Sequence, residues 1–311
     1  MRLQIVLTWF SFVTQVITLA MAALQHGRVC VVTGANKGIG YHIAEQLKNS
    51  GEFSSIILGC RDETLGREAA QKLGSLCEFI APLDLSNPSS ITSFATAIEK
   101  SKGKLDGLVN NAGFAYKGSD PTPFAEQTGP TLAVNYWGTM ALTEALLPLL
   151  RKPMTEDPFV VNVASMAGAL RQIQSAPLRE KFMDPALDLS TLNDLVNKFE
   201  RDVKEGKHKA EGWGSTNYGF SKLAFIAYTK VLAREERNRS GGGKPQVLVN
   251  ACCPGFCDTD MSSHQGIRSA ADGARNAVML ALQHSKDGGG AGPDGTPLHG
   301  EFFQNYEVSE W

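Results

Sequence analysis

From residue 28 onward, short apolar runs alternate with longer amphipathic segments along the chain. The apolar runs carry few charges and do not alternate with polar residues, which is typical of parallel strands that are covered on both faces. They are RVCVVTG (28–34), SSIILGC (54–60), CEFIAPL (77–83), LDGLVNN (105–111), PFVVNVAS (158–165) and QVLVNACC (246–253). The pattern therefore predicts a buried, mainly parallel sheet.

The segments between these runs have helical patterns. The candidates are 39–49, 62–74, 88–101 and 130–151. Alternation of strands and helices predicts an α/β fold, a Rossmann-type doubly wound parallel sheet flanked by helices. One amphipathic stretch, residues 190–206, lies between Ser165 and Tyr218 and breaks this alternation. It predicts a helical insertion ahead of the helix that contains Tyr218.

The composition adds little that is unusual. Of the 311 residues, 42% are hydrophobic and 20% are charged, and the net charge is −2. This balance gives no electrostatic reason to expect nucleic acid or an anionic membrane as a partner. The six cysteines lack the spacing of zinc ligands, so we expect reduced, buried thiols and no metal site. We expect residues 26–311 to form a single domain.

The first 25 residues form an apolar leader that resembles a signal sequence or an anchor. Its Gln, Ser and Thr residues make it less hydrophobic than a strong transmembrane helix. Translation from Met21 would also give a compact chain without it. The sequence favours a cytoplasmic protein in which this leader is dispensable, and an endomembrane or secretory route with membrane contact is the alternative. The sequon at Asn238 offers a test, because it would be glycosylated only on that route.

A strand, a glycine-rich turn and a helix follow one another in VCVVTGANKGIGYHIAEQL (29–47). Gly34, Gly38 and Gly40 have the spacing that lets a backbone turn tightly and approach a pyrophosphate. The helix that begins near Gly38 directs free N–H groups and its positive dipole end at that anion. In this context the motif predicts a dinucleotide site.

The end of the second strand indicates which dinucleotide is bound. An NAD site places a carboxylate there, whereas this chain has Arg61, and Lys37 lies in the glycine turn. Two cations beside the ribose favour the 2′-phosphate of NADP. Asp62 is expected to cap the next helix. Asp84, after the third strand, either accepts a hydrogen bond from the adenine amino group or caps a helix.

Tyr218 and Lys222 are four residues apart in a predicted helix and therefore share a face. A nearby ammonium would lower the pKa of the phenol and make Tyr218 a usable general acid, and Lys222 could also hold the nicotinamide ribose. Ser165 ends a buried strand, at the sheet edge where ligands bind in such folds, and could hydrogen-bond a carbonyl. Asn135 either bends its helix around a water that supplies protons to Lys222 or faces solvent.

Together these motifs resemble the short-chain dehydrogenase/reductase family. The resemblance rests on TGANKGIG (33–40), NNAG (110–113), Asn135, Ser165, Tyr218-x-x-x-Lys222 and PGFCDTDM (254–261). SDPTPF (119–124), KAEGW (209–213), NACCPG (250–255), the terminal EW and the insertion are similar to the monomeric NADPH-dependent carbonyl reductase branch. In that branch the insertion covers the surface through which oligomeric relatives pair, so a monomer is implied.

The resemblance also implies roles for individual residues. Tyr218 resembles the proton donor, Ser165 the carbonyl-orienting hydroxyl, Lys222 the ribose binder and Asn135 the relay residue. The cofactor contacts that it implies are Gly34, Asn36, Lys37, Gly38, Ile39, Gly40, Arg61, Asp84, Leu85, Asn111, Ala112, Gly113, Tyr218, Lys222, Pro254, Gly255 and Thr259. Phe256 stands where those reductases carry a tryptophan that lines the substrate cleft.

The sequence thus predicts NADPH-dependent reduction of ketones, aldehydes and quinones to alcohols. The enzymatic alternative is a dehydrogenase that oxidises a secondary alcohol with NADP. A non-catalytic NADPH sensor is the other alternative, and it would bind the cofactor without consuming it. Some relatives accept glutathione adducts, and KGSDPTPF (117–124) is compatible with that class of substrate.

Overall fold

A computed structural model describes residues 27–152, 157–242, 247–283 and 296–311. The leader predicted over residues 1–25 lies outside the described residues. Within them, no helix is long and apolar enough to cross a membrane.

Strands of the described residues form one sheet in the order β3–β2–β1–β4–β5–β6–β7–β8. Neighbouring strands are parallel, except that β7 and β8 pair antiparallel. The strands are β1 (Arg28–Thr33), β2 (Phe53–Gly59), β3 (Cys77–Glu78), β4 (Gly107–Asn110), β5 (Phe159–Val163), β6 (Leu248–Cys252), β7 (Phe302–Gln304) and β8 (Glu307–Val308). The chain crosses over between β1 and β4, so a crevice opens at the carboxyl ends of these two strands.

Helices cover both faces of the sheet. The α-helices are α1 (Gly38–Asn49), α2 (Glu63–Leu73), α3 (Pro88–Lys102), α4 (Phe124–Leu132), α5 (Thr139–Leu150), α6 (Ala176–Met183), α7 (Leu189–Lys204), α8 (Asn217–Arg239) and α9 (Ala270–Ala281). Helices α1, α2 and α9 pack on one face, while α3, α5 and α8 pack on the other. The α/β sheet predicted from the sequence is confirmed.

Strand β1 illustrates why the apolar runs do not alternate. Val31 packs in the core beneath α3, α5 and α8, and its neighbour Val32 packs in the core beneath α1, α2 and α9. Since successive side chains point to opposite faces, both faces of a central strand must be apolar when helices cover both.

The main differences from the predicted elements lie at the edges of the sheet and in one helix. The third predicted strand, 77–83, is a strand only at Cys77–Glu78, where it pairs with β2 alone. Strands β7 and β8 were not predicted, because they are short and β8 is exposed at both positions. The predicted helix 130–151 is divided into α4, a π-helical segment (Ala133–Gly138) and α5.

The insertion predicted at 190–206 is helical, and α7 spans nearly the whole of it. Helix α7 packs on α8 and α4 through Leu192, Val196 and Phe199, which are buried. Stacking of the Phe199 and Phe220 rings, whose centroids are 3.7 Å apart, joins α7 to α8. The insertion therefore covers the outer surface of the helix that contains Tyr218.

Candidate active site

A cavity of about 460 Å³ lies at the carboxyl edge of the sheet, between the glycine turn and the loop that follows β6. It is at the crevice that the crossover between β1 and β4 creates. Its lining consists of Gly34, Asn36, Lys37, Gly38, Ile39, Gly40, Asn111, Ala112, Gly113, Val163, Ala164, Tyr218, Lys222, Pro254, Asp258, Thr259, Asp260, Met261 and His264. Most of the residues that the sequence assigned to the cofactor therefore line one cavity, together with Tyr218 and Lys222, which it assigned to catalysis.

The glycine turn brings bare backbone to the cavity. Gly34 has a φ of +65° and Gly38 a φ of +57°, a region that residues with a Cβ rarely adopt. A Cβ on Gly40 would lie only 2.3 Å from the carbonyl oxygen of Gly34. The turn and the first turn of α1 can close on each other only because these positions are glycine.

The start of α1 offers unpaired N–H groups. Lys37 occupies the N-cap position without a side-chain cap hydrogen bond, and the first turn contains no acidic residue. In contrast, Asp62 caps α2 and Asn87 caps α3 through side-chain oxygens. The first N–H groups of α1 and its positive dipole end therefore remain available to an anion.

Asn111 joins the ends of β1 and β4. Its Nδ2 donates to the carbonyl oxygen of Thr33 at 2.9 Å, while the backbone N–H groups of Asn111 and Ala112 donate to Thr33 Oγ1. These bonds fix the loop that leads to Gly113 and keep the two strand ends in register.

An exposed cation, Arg61, follows the end of β2. Asp62 accepts from the Leu65 N–H at 2.9 Å, which confirms that it caps α2. Arg61 is exposed beside it, and its positive charge helps to lower the pKa of Asp84. The principal cause of that lowering is the hydrogen bond from Ser86 to Asp84.

Asp84 does not cap a helix, and that alternative is wrong. Its Oδ1 accepts hydrogen bonds from the backbone and hydroxyl of Ser86, whereas Asn87 caps α3. The Leu85 side chain is buried in the core, so only its backbone can face a ligand. Arg61, Asp84 and Leu85 are not part of the cavity lining and lie beyond it, at the ends of β2 and β3.

A chain of charged groups spans the mouth of the cavity. Lys37 Nζ lies 2.5 Å from Asp260 Oδ2, and His264 contacts both Asp258 (2.7 Å) and Asp260 (3.1 Å). The hydrogen bond with Asp258 is the main cause that raises the pKa of His264. Lys37 therefore links the glycine turn to the loop after β6.

Tyr218 lines the cavity, and Ser165 lies beside it. Ser165 follows β5 in an extended conformation, and its Oγ accepts from the Ala167 N–H at 3.1 Å. Burial raises the pKa of Tyr218 to about 12, and a hydrogen bond with Ser165 opposes that rise. The phenol consequently keeps its proton at neutral pH.

Lys222 is buried in α8 and donates from Nζ to the carbonyl oxygen of Val163 at 2.8 Å. Burial lowers the pKa of this ammonium to about 8. Its Nζ lies 5.8 Å from the centre of the Tyr218 ring. Burial dominates the pKa of Tyr218, and the expected lowering of that pKa by the Lys222 ammonium stays a prediction.

Asn135 lies within the π-helical segment and is 1% exposed, so the alternative that it faces solvent is wrong. Its Nδ2 donates to the carbonyl of Phe114 and to Ser221 Oγ, while its Oδ1 accepts from the Phe114 N–H. A Cβ on Gly113 would lie 3.6 Å from Asn135 Oδ1 and 3.5 Å from Lys222 Nζ. The Gly113 backbone therefore lies close to both the Asn135 amide and the Lys222 ammonium.

Some residues of the cavity were missed by the sequence reasoning. Asp260, Met261 and His264 also line it. Their signal was available, because acidic residues and a histidine follow the PGF motif immediately after β6. Phe256 is 55% exposed and is not among the described residues that line this cavity, so its role as a substrate-lining residue stays a prediction.

Solved structures have the same fold. Salutaridine reductase from Papaver somniferum matches with a TM-score of 0.74 and 32% identity, covering 89% of this chain and 99% of that one. Menthone neomenthol reductase from Mentha piperita matches with a TM-score of 0.72 and 28% identity, covering 90% and 99%.

Sequence comparison gives the family. A family model described as short chain dehydrogenase matches residues 28–177. Carbonyl reductase [NADPH] 1 of Mus musculus is 40% identical over 291 residues, which cover 91% of this chain and 98% of the relative. Carbonyl reductase [NADPH] 3 of Rattus norvegicus is 39% identical over 292 residues, with the same coverage. The chain belongs to the short-chain dehydrogenase/reductase family, among its carbonyl reductases.

Proposed function

We propose that this protein reduces ketones, aldehydes and quinones to alcohols with NADPH. The observation that carries the proposal is the shared cavity: the phenol of Tyr218, beside Ser165, and the ammonium of Lys222 line the same cavity as the glycine turn and the uncapped start of α1. A carbonyl that enters from the mouth can reach a proton donor and a cofactor in one place.

The residues present fit NADPH. The glycine turn and the free N–H groups at the start of α1 suit a pyrophosphate, and the loop Asn111–Gly113 borders the path to Lys222. Arg61 and Lys37 are the cations proposed for a 2′-phosphate. The neighbouring carboxylate of Asp62 accepts the Leu65 N–H in the cap of α2, so it is engaged there. When bound, NADPH supplies the hydride for the carbonyl carbon.

Tyr218 is the proposed proton donor. A phenol with a pKa of about 12 stays protonated at neutral pH, and it is still a stronger acid than the alcohol being formed. The proton therefore moves to the former carbonyl oxygen as negative charge develops there. Ser165 donates a hydrogen bond to the same oxygen, which stabilises that charge.

Lys222 and Asn135 are proposed to support this step. Lys222 retains donors beyond the one directed at Val163, and these can hold the nicotinamide ribose. Asn135 fixes the Phe114 loop beside Gly113 and so shapes the path by which a proton reaches the lysine. Because the π-helical segment holds Asn135 in a buried position, its amide is pre-oriented for this role.

Substrate contacts are proposed on the mouth side. Met261 and His264 line the cavity and the Phe256 side chain is exposed in the same segment after β6, so this segment offers apolar surface to a carbonyl compound. Glutathione adducts are a further candidate class, given the segment 117–124 near the Phe114 loop.

The test is consumption of NADPH, measured as loss of its absorbance, with a panel of quinones, ketones and aldehydes. We expect turnover with NADPH that exceeds turnover with NADH. Tyr218→Phe should retain NADPH binding and lose about 100-fold or more of kcat, because only the acidic hydroxyl is removed. Full activity of this variant would contradict the mechanism, and binding without consumption across the panel would favour the sensor.

We further propose a monomeric, cytoplasmic protein in which residues 26–311 act as one domain. Support for the monomer comes from α7, which packs over α8 and α4. Asn238 is exposed in the last turn of α8, so a protein that passed through the secretory route should lose mass on glycosidase treatment. Absence of that shift is the expected result.

A further inference from the structure

The turn that follows Ser165 is fixed by residues far away in the sequence. This 3₁₀ turn, Met166–Gly168, begins directly after the serine. The Met166 N–H donates to Cys253 Sγ, and Gln304 Nε2 donates to Met166 Sδ at 3.0 Å. Gln172 Nε2 donates to the Ala167 carbonyl at 2.8 Å.

Gly168 is held from two sides. On the inner side its backbone touches α8 so closely that a Cβ would lie 2.6 Å from the Lys222 carbonyl carbon. On the outer side the indole Nε1–H of Trp311 donates to the Gly168 carbonyl oxygen at 3.0 Å. Trp311 is half-buried against the core, and Lys230 Nζ of α8 lies 6.0 Å from the centre of its ring.

These contacts connect Trp311 to the Ser165 hydroxyl through the Gly168 and Ala167 peptide units. The Gly168 N–H donates to the Ser165 carbonyl at 2.9 Å, and the Ala167 N–H donates to Ser165 Oγ. A shift of Gly168 away from α8 would therefore tilt the peptide units that aim the serine. Small errors of this kind cost rate rather than binding, since catalysis depends on near-attack geometry.

We propose that Trp311 is a positioning residue for carbonyl reduction: its indole N–H holds the Gly168 carbonyl and thereby keeps Ser165 aimed at the substrate oxygen. The inference rests on the proposed role of Ser165. The remote residue serves this purpose because the turn has only three residues and cannot satisfy that carbonyl itself. The C-terminal EW motif noted in the sequence thus acquires a function in the site.

The first experiment compares three variants with the parent protein. Trp311→Phe keeps an aromatic ring and loses only the N–H donor, and we expect kcat to fall about 3- to 10-fold with the Kd of NADPH unchanged. Glu310→Gln is the matched control and should keep full kcat. Ser165→Ala should lose far more activity than Trp311→Phe.

The second experiment separates the N–H donor from simple packing. Trp311→Gly leaves a space shaped like indole beside Gly168, and added indole should restore part of kcat. Indene has nearly the same shape without an N–H, and it should restore none. Equal rescue by indole and indene would overturn the proposal, because packing alone would then explain the effect.

The two proposals fail in different ways. If Ser165→Ala keeps full activity, the proposed role of the serine is wrong and the inference falls with it. If Ser165→Ala is inactive while Trp311→Phe has the kcat of the parent, only the inference about Trp311 is overturned. If Trp311→Phe has a lower melting temperature and an unchanged kcat, Trp311 likewise has a purely structural role.

Discussion

Single residues decide how the cofactor end of the cavity presents its charge. Lys37 and Asp260 form an ion pair across the mouth, and their side chains are 65% and 58% exposed. Solvent and salt screen an exposed pair of this kind, so it holds the two loops together only weakly. The same ammonium is one of the two cations proposed for the phosphates of NADPH.

Replacement of Asp260 by asparagine should therefore strengthen NADPH binding. We expect the Kd to fall about 2- to 5-fold at low ionic strength, since Lys37 no longer has to leave a carboxylate, and the gain should shrink as salt is added. Fluorescence titration of NADPH at two salt concentrations measures this. Asp258→Asn is the control, because Asp258 pairs with His264, whereas the ion pair of Lys37 in the described part of the chain is with Asp260. Weaker binding by Asp260→Asn would contradict the prediction.

Burial of the Lys222 ammonium lowers the free energy of unfolding by an amount that depends on pH. Its pKa is about 8 in the folded protein and near 10.5 in an unfolded chain. Between these values the unfolded chain binds more protons, so the contribution of Lys222 to stability rises with pH over that window and is unfavourable below it.

Lys222→Met should consequently unfold at higher urea concentration at pH 7. The expected gain in the free energy of unfolding is about 1–3 kcal/mol, and it should largely vanish near pH 10. The variant should also lose activity. Lys204→Met, an exposed position on α7, serves as the control, with little dependence on pH. A gain at pH 10 as large as that at pH 7 would show that burial of the charge is not the cause.

At the scale of elements, the π-helical segment between α4 and α5 matters most for the site. It contains Asn135 and ends at Gly138, where a Cβ would lie 1.8 Å from the Leu85 carbonyl oxygen. The segment and the loop after β3 can be this close only because Gly138 has no side chain. A π-helical turn inside a helix is frequently found at a functional site, where it re-aims side chains.

Gly138→Ala should push this segment away from Leu85. We expect a loss of about 1–3 kcal/mol in the free energy of unfolding, together with a lower kcat because Asn135 moves. Urea denaturation and NADPH consumption measure the two effects. Gly118→Ala is the matched control, since nothing lies within 4 Å of its added Cβ and the change should be close to neutral. Unchanged stability of Gly138→Ala would mean that the contact relaxes without cost.

At the scale of the whole molecule, the insertion determines the expected assembly. Helix α7 buries Leu192, Val196 and Phe199 against α8 and α4. The surface beneath it is therefore not free to pair with a second copy of the chain.

We expect the purified protein to sediment as a monomer, with a mass close to 33.5 kDa for the whole chain. Analytical ultracentrifugation at several concentrations measures this. Val196→Glu would place an unpaired charge beneath α7 and should loosen the insertion, which exposes apolar surface and promotes self-association. A concentration-independent dimer of the parent protein would contradict the covering role proposed for α7.

The sequence by itself determined the fold class, the glycine turn and the helix cap at Asp62, and it singled out Ser165, Tyr218 and Lys222 as candidate site residues. These features depend on local chemistry: unbroken apolar runs, glycine spacing and residues that share one helical face. The confirmed free and buried state of all six cysteines followed from composition in the same way.

Only the tertiary structure decided how charges and remote segments combine. Burial by the surrounding helices raises the pKa of Tyr218 and lowers that of Lys222, and no sequence pattern states how deeply either group lies. The π-helical turn depends on the approach of Leu85 to Gly138, and the contact of Trp311 with Gly168 joins residues 143 positions apart. Such contacts arise from packing between elements, so they become visible only when the chain is folded.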